Sequence, residues 1–191
     1  SDEGWHRYNL ANPQEPSLTK TYDNPMGRAK SVTLGDGYGL FSFLGSQMRV
    51  VDFSDLHNPI ELSDLANIYE GRFVAAEIIG NHAYILYKDS SAYAVTDTLL
   101  ILDMEEPAEP RVMGKHLFAR SIGNFAQLFL DDDRAFIVSD PASSAPGISV
   151  LDLSNLSQPE ELGFLPFDSI THAAQVDNYL FQTKFNPTNP P

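Results

Sequence analysis

The chain has 191 residues and a formal charge of -14, from 26 acidic and 12 basic residues, which excludes the basic footprint that nucleic acid or an anionic membrane surface demands. It contains no cysteine, so disulfides, thiolate metal sites and cysteine nucleophiles are excluded together. No apolar run approaches the roughly 20 residues needed to span a bilayer.

In chain order, Trp5 to Leu18 reads as a short strand ending at Tyr8-Asn9-Leu10, then a polar turn closed by Pro16. Ala29 to Leu34 is an apolar stretch, followed by a turn at Gly37 and a strand Tyr38-Gly39-Leu40-Phe41, and the Asx pattern returns as Val51-Asp52-Phe53 with Pro59. Leu65 to Tyr69 is long enough for a single helical turn only. Phe73 to Ile79, a turn at Asn81, His82 to Ile85 and Leu102-Asp103-Met104 with Pro110 make the next copy. Phe125 to Leu130, a turn at Asp133, Arg134 to Ile137 and Leu151-Asp152-Leu153 with Pro159 make another, and Thr171 to Val176, Asn178 and Tyr179 to Phe181 follow.

The Asx-to-Pro spacing is seven in every copy, and successive Asx positions lie 43, 51 and 49 residues apart, the range of blade or solenoid arrays. Proline cannot donate to a ladder and so suits a strand start. Gly37, Asn81, Asp133 and Asn178 are expected to supply the positive φ of tight hairpin turns. No apolar spacing sustains an ordinary helix, and 13 prolines and 12 glycines punctuate the strand runs. The reading is all-β, a single domain over 1–191, with about four strands per period: a β-propeller of about four four-stranded antiparallel blades.

The chain opens with the second half of a repeat and closes with the first half of another. Closure is therefore expected, with Trp5 to Leu10 pairing beside Tyr179 to Lys184 so that the N-terminal strand completes the last blade. The competing expectation is a fragment or half of a larger ring, joined to a second copy or to a continuation beyond Asn186 to Pro191.

Val50-Val51-Asp52-Phe53-Ser54 and Ser149-Val150-Leu151-Asp152-Leu153-Ser154, each followed by a proline-marked turn and Glu-Leu, resemble the LVIVD-repeat family of bacterial and archaeal β-propellers. The resemblance covers nearly the whole chain; the first copy departs from it at Tyr8 and Asn9, and the third lacks the serine after Met104. It implies a propeller, generally exported or attached to the cell surface, with no common catalytic residue set. The expected setting is thus extracellular, periplasmic or cell surface.

Asp52, Asp103 and Asp152 recur as a ring of carboxylates, but one Asp per repeat at a strand end is more simply an acceptor for backbone N–H groups of its own turn. Asp131-Asp132-Asp133 lacks the alternating ligands, glycine and terminal glutamate of a calcium loop and reads as a solvated turn. No metal or cofactor is expected. No nucleophile elbow, P-loop or paired zinc histidines are present, and the glycines at 35–39 open a strand rather than a helix.

The innermost strands carry Ser31, Ala75, Gln127 and His172 on one face and Val32, Ala76, Leu128 and Ala173 on the other, so a small or polar face is expected toward a central channel. Ahead of them stand Arg28, Arg72, Asn124 and Ser169, with Arg120 nearby: arginines on one rim of an acidic molecule suit a carboxylate or phosphate. The expected ligand site is Arg28, Arg72, Arg120, Asn124, Gln127 and His172. The function expected is a non-catalytic binding module for an anionic small molecule or a protein partner. The alternatives are a hydrolase or lyase using His172 as acid or base at the channel mouth, and a structural spacer.

Overall fold

A computed structural model describes residues 4–23, 29–35, 37–43, 47–68, 71–89, 97–167, 172–176 and 179–183. Arg28, Ser169 and Asn178 lie outside the described residues, as does the side chain of Trp5. The described residues form sixteen strands and one 3-10 turn at Leu65–Asn67, so the protein is all-β.

The strands fall into three four-stranded antiparallel meanders and two hairpins. The first hairpin is β1 (Gly4–Asn9) with β2 (Ser17–Asp23). The first complete sheet is β3 (Ala29–Leu34), β4 (Tyr38–Phe43), β5 (Met48–Asp52) and β6 (Ile60–Asp64). The second is β7 (Gly71–Ile79), β8 (His82–Asp89), β9 (Asp97–Asp103) and β10 (Arg111–Leu117). The third is β11 (Gln127–Asp131), β12 (Arg134–Val138), β13 (Gly147–Asp152) and β14 (Glu160–Pro166). The last hairpin is β15 (His172–Val176) with β16 (Tyr179–Thr183).

The Asx-Pro element is one structure built four times. Asn9, Asp52, Asp103 and Asp152 each accept, through Oδ1, the backbone N–H two residues on, at 2.9, 2.7, 2.9 and 2.8 Å. The carbonyls of Asn12, Asp55, Glu106 and Asn155 then accept the N–H three residues on. In all four copies the outgoing strand carries a register shift just after its second paired residue. This bulge leaves Thr19, Leu62, Met113 and Leu162 without a Cα partner and sharpens the local twist. The residue after the Asx ties each complete sheet together, since Phe53, Met104 and Leu153 donate their N–H to the carbonyls of Gly37, Asn81 and Asp133.

The hairpin turns differ from expectation in one detail. Positive φ falls at Gly37, as expected, but at Gly80 and Asp132 rather than Asn81 and Asp133. In these copies only two residues separate the paired ends, Ile79 with His82 and Asp131 with Arg134, and the first of the two takes the left-handed conformation. Glycine adopts it without cost and aspartate tolerates it.

The sheets pack face to face. On the second sheet, Ile85, Tyr87, Leu100 and Leu102 join a core shared with Leu40, Met48 and Val50 of the first. Their alternating neighbours Tyr84, Leu86, Leu99 and Ile101 join a second core with Leu128, Ile137 and Leu151 of the third. Burial on both faces is why this sheet reads as a continuous apolar run at Leu99 to Leu102 instead of alternating.

Successive innermost strands are tied by side chains. Thr33 Oγ1 on β3 donates to the Ala76 carbonyl on β7 at 3.1 Å, and the Gln127 amide on β11 holds both backbone groups of Ala173 on β15. At the outer edge each sheet touches the Asx turn of the next: Ser63 Oγ donates to the Pro107 carbonyl at 3.0 Å, and His116 Nδ1 donates to that of Pro159 at 3.2 Å. The first hairpin joins the same series through Arg7 to the Leu56 carbonyl and Lys20 to that of His57.

The expected pairing of Trp5–Leu10 beside Tyr179–Lys184 is not formed among the described residues. β1–β2 and β15–β16 are separate two-stranded sheets. Each hairpin is held by its neighbouring complete sheet, β1–β2 by the turn at Leu56 and His57 and β15–β16 by Gln127.

Candidate functional site

The rim at the start of the innermost strands is built by β3, β7 and the segment leading into β11. Lys30 on β3 donates to the Phe73 carbonyl at 2.7 Å and lies 5.3 Å from the centre of the Phe73 ring. Next to Phe73 the exposed Arg72 donates through Nη1 to Asn124 Oδ1 at 3.4 Å. Partial burial, and secondarily the Arg72 charge, pull the Lys30 pKa below its ordinary value. Two cations from adjacent sheets therefore stand close enough to repel, and an anion between them would relieve that.

Asn124 sits in a loop whose shape is set by two buried carboxylates. Asp97, whose side chain is fully enclosed, accepts the Ile122 N–H at 2.5 Å and lies 3.7 Å from Lys88 Nζ. Asp140, also buried, accepts the N–H groups of Asn124, Phe125 and Ala142 at 3.0, 3.2 and 2.8 Å. Gly123, at φ 88°, approaches the Asp140 side chain so closely that a Cβ would lie 2.1 Å from it. The loop consequently presents Phe125 with 75% of its surface exposed. This corrects the expectation that Phe125 opens the strand, because β11 starts only at Gln127.

The remaining expected residues are placed elsewhere. Arg120 forms a two-pronged ion pair with Glu161 at 2.6 and 3.3 Å and stacks 4.1 Å from the Phe164 ring centre, both on β14. Gln127 is engaged in clamping β15. His172 is exposed on β15, where its carbonyl accepts Thr183 Oγ1 at 3.4 Å, and among the described residues no carboxylate forms an ion pair with it. Among the described residues of the expected set, Arg72 and Asn124 are hydrogen-bonded to each other. Lys30, Phe125, Asp97 and Asp140 were not anticipated; the Gly123-Asn124 pair was the one available sign of a turn there.

The recurring aspartates are structural acceptors. The Ser54 and Ser154 N–H groups hold the Asp52 and Asp152 carboxyls below the ordinary value of 3.8. A folded pKa below the unfolded one gives stability that is whole above about pH 4 and is lost as the pH falls through the folded value. Asn9 makes the same turn with an uncharged oxygen. Asp52→Asn with Asp152→Asn is therefore expected to keep the fold at neutral pH and flatten the acid limb of a melting-temperature profile. Collapse of the variant at neutral pH would show that charge, not the oxygen acceptor, makes the turn.

Among the described residues no group of three or more His, Asp or Glu side chains is placed to hold a metal. No protein-family model matches the chain, and no curated protein matches it.

Proposed function

We propose that the stacked four-stranded sheets are successive blades of a β-propeller, and that the protein is a non-catalytic binding module recognising an acidic partner segment. The site is the rim formed by Lys30, Arg72, Asn124 and Phe125. The resemblance of the Asp-Phe-Ser and Asp-Leu-Ser segments to LVIVD repeats supports the same reading and, with it, an exported or surface-attached setting.

The observation that carries the proposal is Phe125. An aromatic ring left three-quarters exposed on a loop fixed by buried carboxylates is a pre-organised anchor, and binding to it costs little ordering of the loop. Its chain neighbour Asn124 accepts from Arg72, and Lys30 bonds the carbonyl of Phe73, next to Arg72; both are cations on a molecule of net charge -14. Such a pairing selects for a carboxylate next to an apolar side chain rather than for a basic or neutral ligand. Among the described residues no carboxylate forms an ion pair with His172, so it is the rim at Phe125 and Arg72 that supports the reading adopted here.

A peptide array combining Asp or Glu with Leu, Phe or Trp is the direct test. Peptides captured by the parent protein are expected to bind at least tenfold more weakly, about 1.4 kcal/mol, to Phe125→Ala or Arg72→Ala. Their affinity should also fall as salt rises. Peptides that bind both variants as well as the parent would overturn the site.

A further inference from the structure

One face of the first complete sheet lies in the core it shares with the second, and the other borders a cleft. Leu40, Met48 and Val50 belong to the shared core, so strand alternation turns Val32 and Leu34 on β3, and Phe41 on β4, the other way. Val32 and Phe41 face each other across the ladder, and Leu34 faces Gly39. A Cβ at Gly39 would lie 2.8 Å from Leu34 Cδ2 and 3.1 Å from Phe53 Cε2. The glycine thus leaves room for the Leu34 and Phe53 side chains to close over β4 beside Phe41, whose ring centre is 5.6 Å from that of Phe53.

Against this face is a cleft of about 370 Å³, which His6 and Arg7 of β1 and Leu56 of the Asx turn after β5 also line. Pockets that enclose a small organic molecule span roughly 300–1,000 Å³. Val32, Leu34 and Leu56 border the cleft with 50%, 64% and 55% of their surface exposed, and apolar surface of this kind gains by being covered.

The charged exception is Arg7. Its Nε donates to Thr19 Oγ1 at 2.9 Å and its Nη1 to the Leu56 carbonyl, two neutral acceptors that hold the guanidinium in place without neutralising it. Among the described residues no carboxylate forms an ion pair with Arg7. Asp55, beside Leu56, accepts the His57 N–H and the Asn58 side-chain amide, both within its own turn. His6, the other polar side chain at the cleft, is bonded through Nδ1 to Thr21 Oγ1 at 3.1 Å. A guanidinium fixed at an apolar wall and lacking a counter-charge suits a carboxylate.

We infer that this cleft binds a small aromatic carboxylate, its ring against Phe41 and Phe53 and its carboxylate on Arg7. Aromatic rings gain from packing on one another beyond the area they bury, which favours an aryl body over an aliphatic chain of similar size. The carboxylate supplies the charge that the described part of the cleft lacks. The site lies toward the end of β3 away from Lys30, where Gly35 and Gly37 also border it, and it is independent of the rim ligand.

Naphthylacetate, its uncharged amide and octanoate are the probes, with calorimetry for affinity and the methyl proton resonances of Val32 and Leu34 for location. Naphthylacetate is expected to bind and to shift those methyls by its ring current. It should bind about tenfold more tightly than the amide, as one charge-assisted hydrogen bond would give, and more tightly than octanoate. Val32→Trp, which fills the cleft from a half-exposed position, should abolish binding, and Arg7→Met should weaken it about tenfold. Each variant is first shown by circular dichroism and thermal melting to fold like the parent; because Arg7 also anchors β1, Val32→Trp decides the matter if Arg7→Met does not fold. Arg72→Ala and Phe125→Ala should bind naphthylacetate as the parent does. No binding at millimolar naphthylacetate, equal affinity for the amide or for octanoate, or full binding by Val32→Trp overturns the inference. Loss of binding in Arg72→Ala overturns it too, since the carboxylate would then sit at the rim.

Discussion

Gly114→Val is expected to destabilise the protein by about 3 kcal/mol, the upper end of what overpacking a filled interior costs. A Cβ at Gly114 would lie 2.0 Å from the Leu156 carbonyl oxygen and 3.0 Å from the carbonyl carbons of Leu156 and Ser157. These are backbone atoms of the next sheet's Asx turn, which is pinned by Asp152 and Asn155 and cannot swing aside as a flexible side chain would. The second and third sheets must therefore separate, and the core between them loses contacts at Leu99, Ile101 and Leu151. Gly163 supplies the control. It occupies the same place after the bulge, facing Val150 as Gly114 faces Ile101, but among the described residues, its chain neighbours aside, no atom lies within 4 Å of its would-be Cβ. Gly163→Ala should change stability by no more than about 0.5 kcal/mol. Urea unfolding of both variants checks the pair: a Gly114→Val protein with the parent's midpoint would mean that the sheets do not approach through the Asx turn.

The contrast between these glycines also marks what the sequence can and cannot convey. The Asx-Pro element was legible because its bonds are local: Asp52 to Ser54, Asp103 to Glu105 and Asp152 to Ser154 are two residues apart, so a spacing pattern records them directly. The strand bounds of β3 at Ala29–Leu34 were legible for the same reason, since turn residues and apolar runs are near-neighbour signals. The bulge escaped notice although it recurs four times, because it is a relation between two strands and leaves no consistent residue type at Thr19, Leu62, Met113 and Leu162.

The candidate site was less legible because its members meet across sheets. Arg120 looked like a rim cation when read beside Arg72, but Glu161, its partner, is 41 residues away and draws it to β14. Lys30 and Arg72 are likewise a repeat apart, and nothing in either segment alone announces that the Phe73 carbonyl brings them together. Phe125 misled in the opposite sense. Its apolar neighbours at Ala126 and Leu128 suggested a strand, and only the distant Asp97 and Asp140, which capture the N–H groups before β11, turn it outward.

That dependence gives the other large effect. Asp97→Ala is expected to cost about 3 kcal/mol, because removing one partner of an enclosed charge pair strands the other. The Asp97 carboxylate is fully enclosed and Lys88 only slightly exposed. Ile122, whose N–H would lose its acceptor, is wholly buried, so water cannot take over the bond and the donor's desolvation is uncompensated. Asp97→Asn should cost less, since an amide oxygen can still accept from Ile122 while only the attraction to Lys88 is lost. Beyond global stability, the Ile122, Asn124 and Phe125 amides should exchange with solvent much faster in Asp97→Ala, as a loop freed of its clamp opens locally. The Phe125 anchor would then have to be ordered on binding, and acidic peptides should bind Asp97→Ala more weakly although no contacting side chain has changed. Unaltered amide exchange at 122–125 in a folded Asp97→Ala protein would show that Asp140 alone holds the loop, and the expected loss of affinity would move to Asp140→Ala.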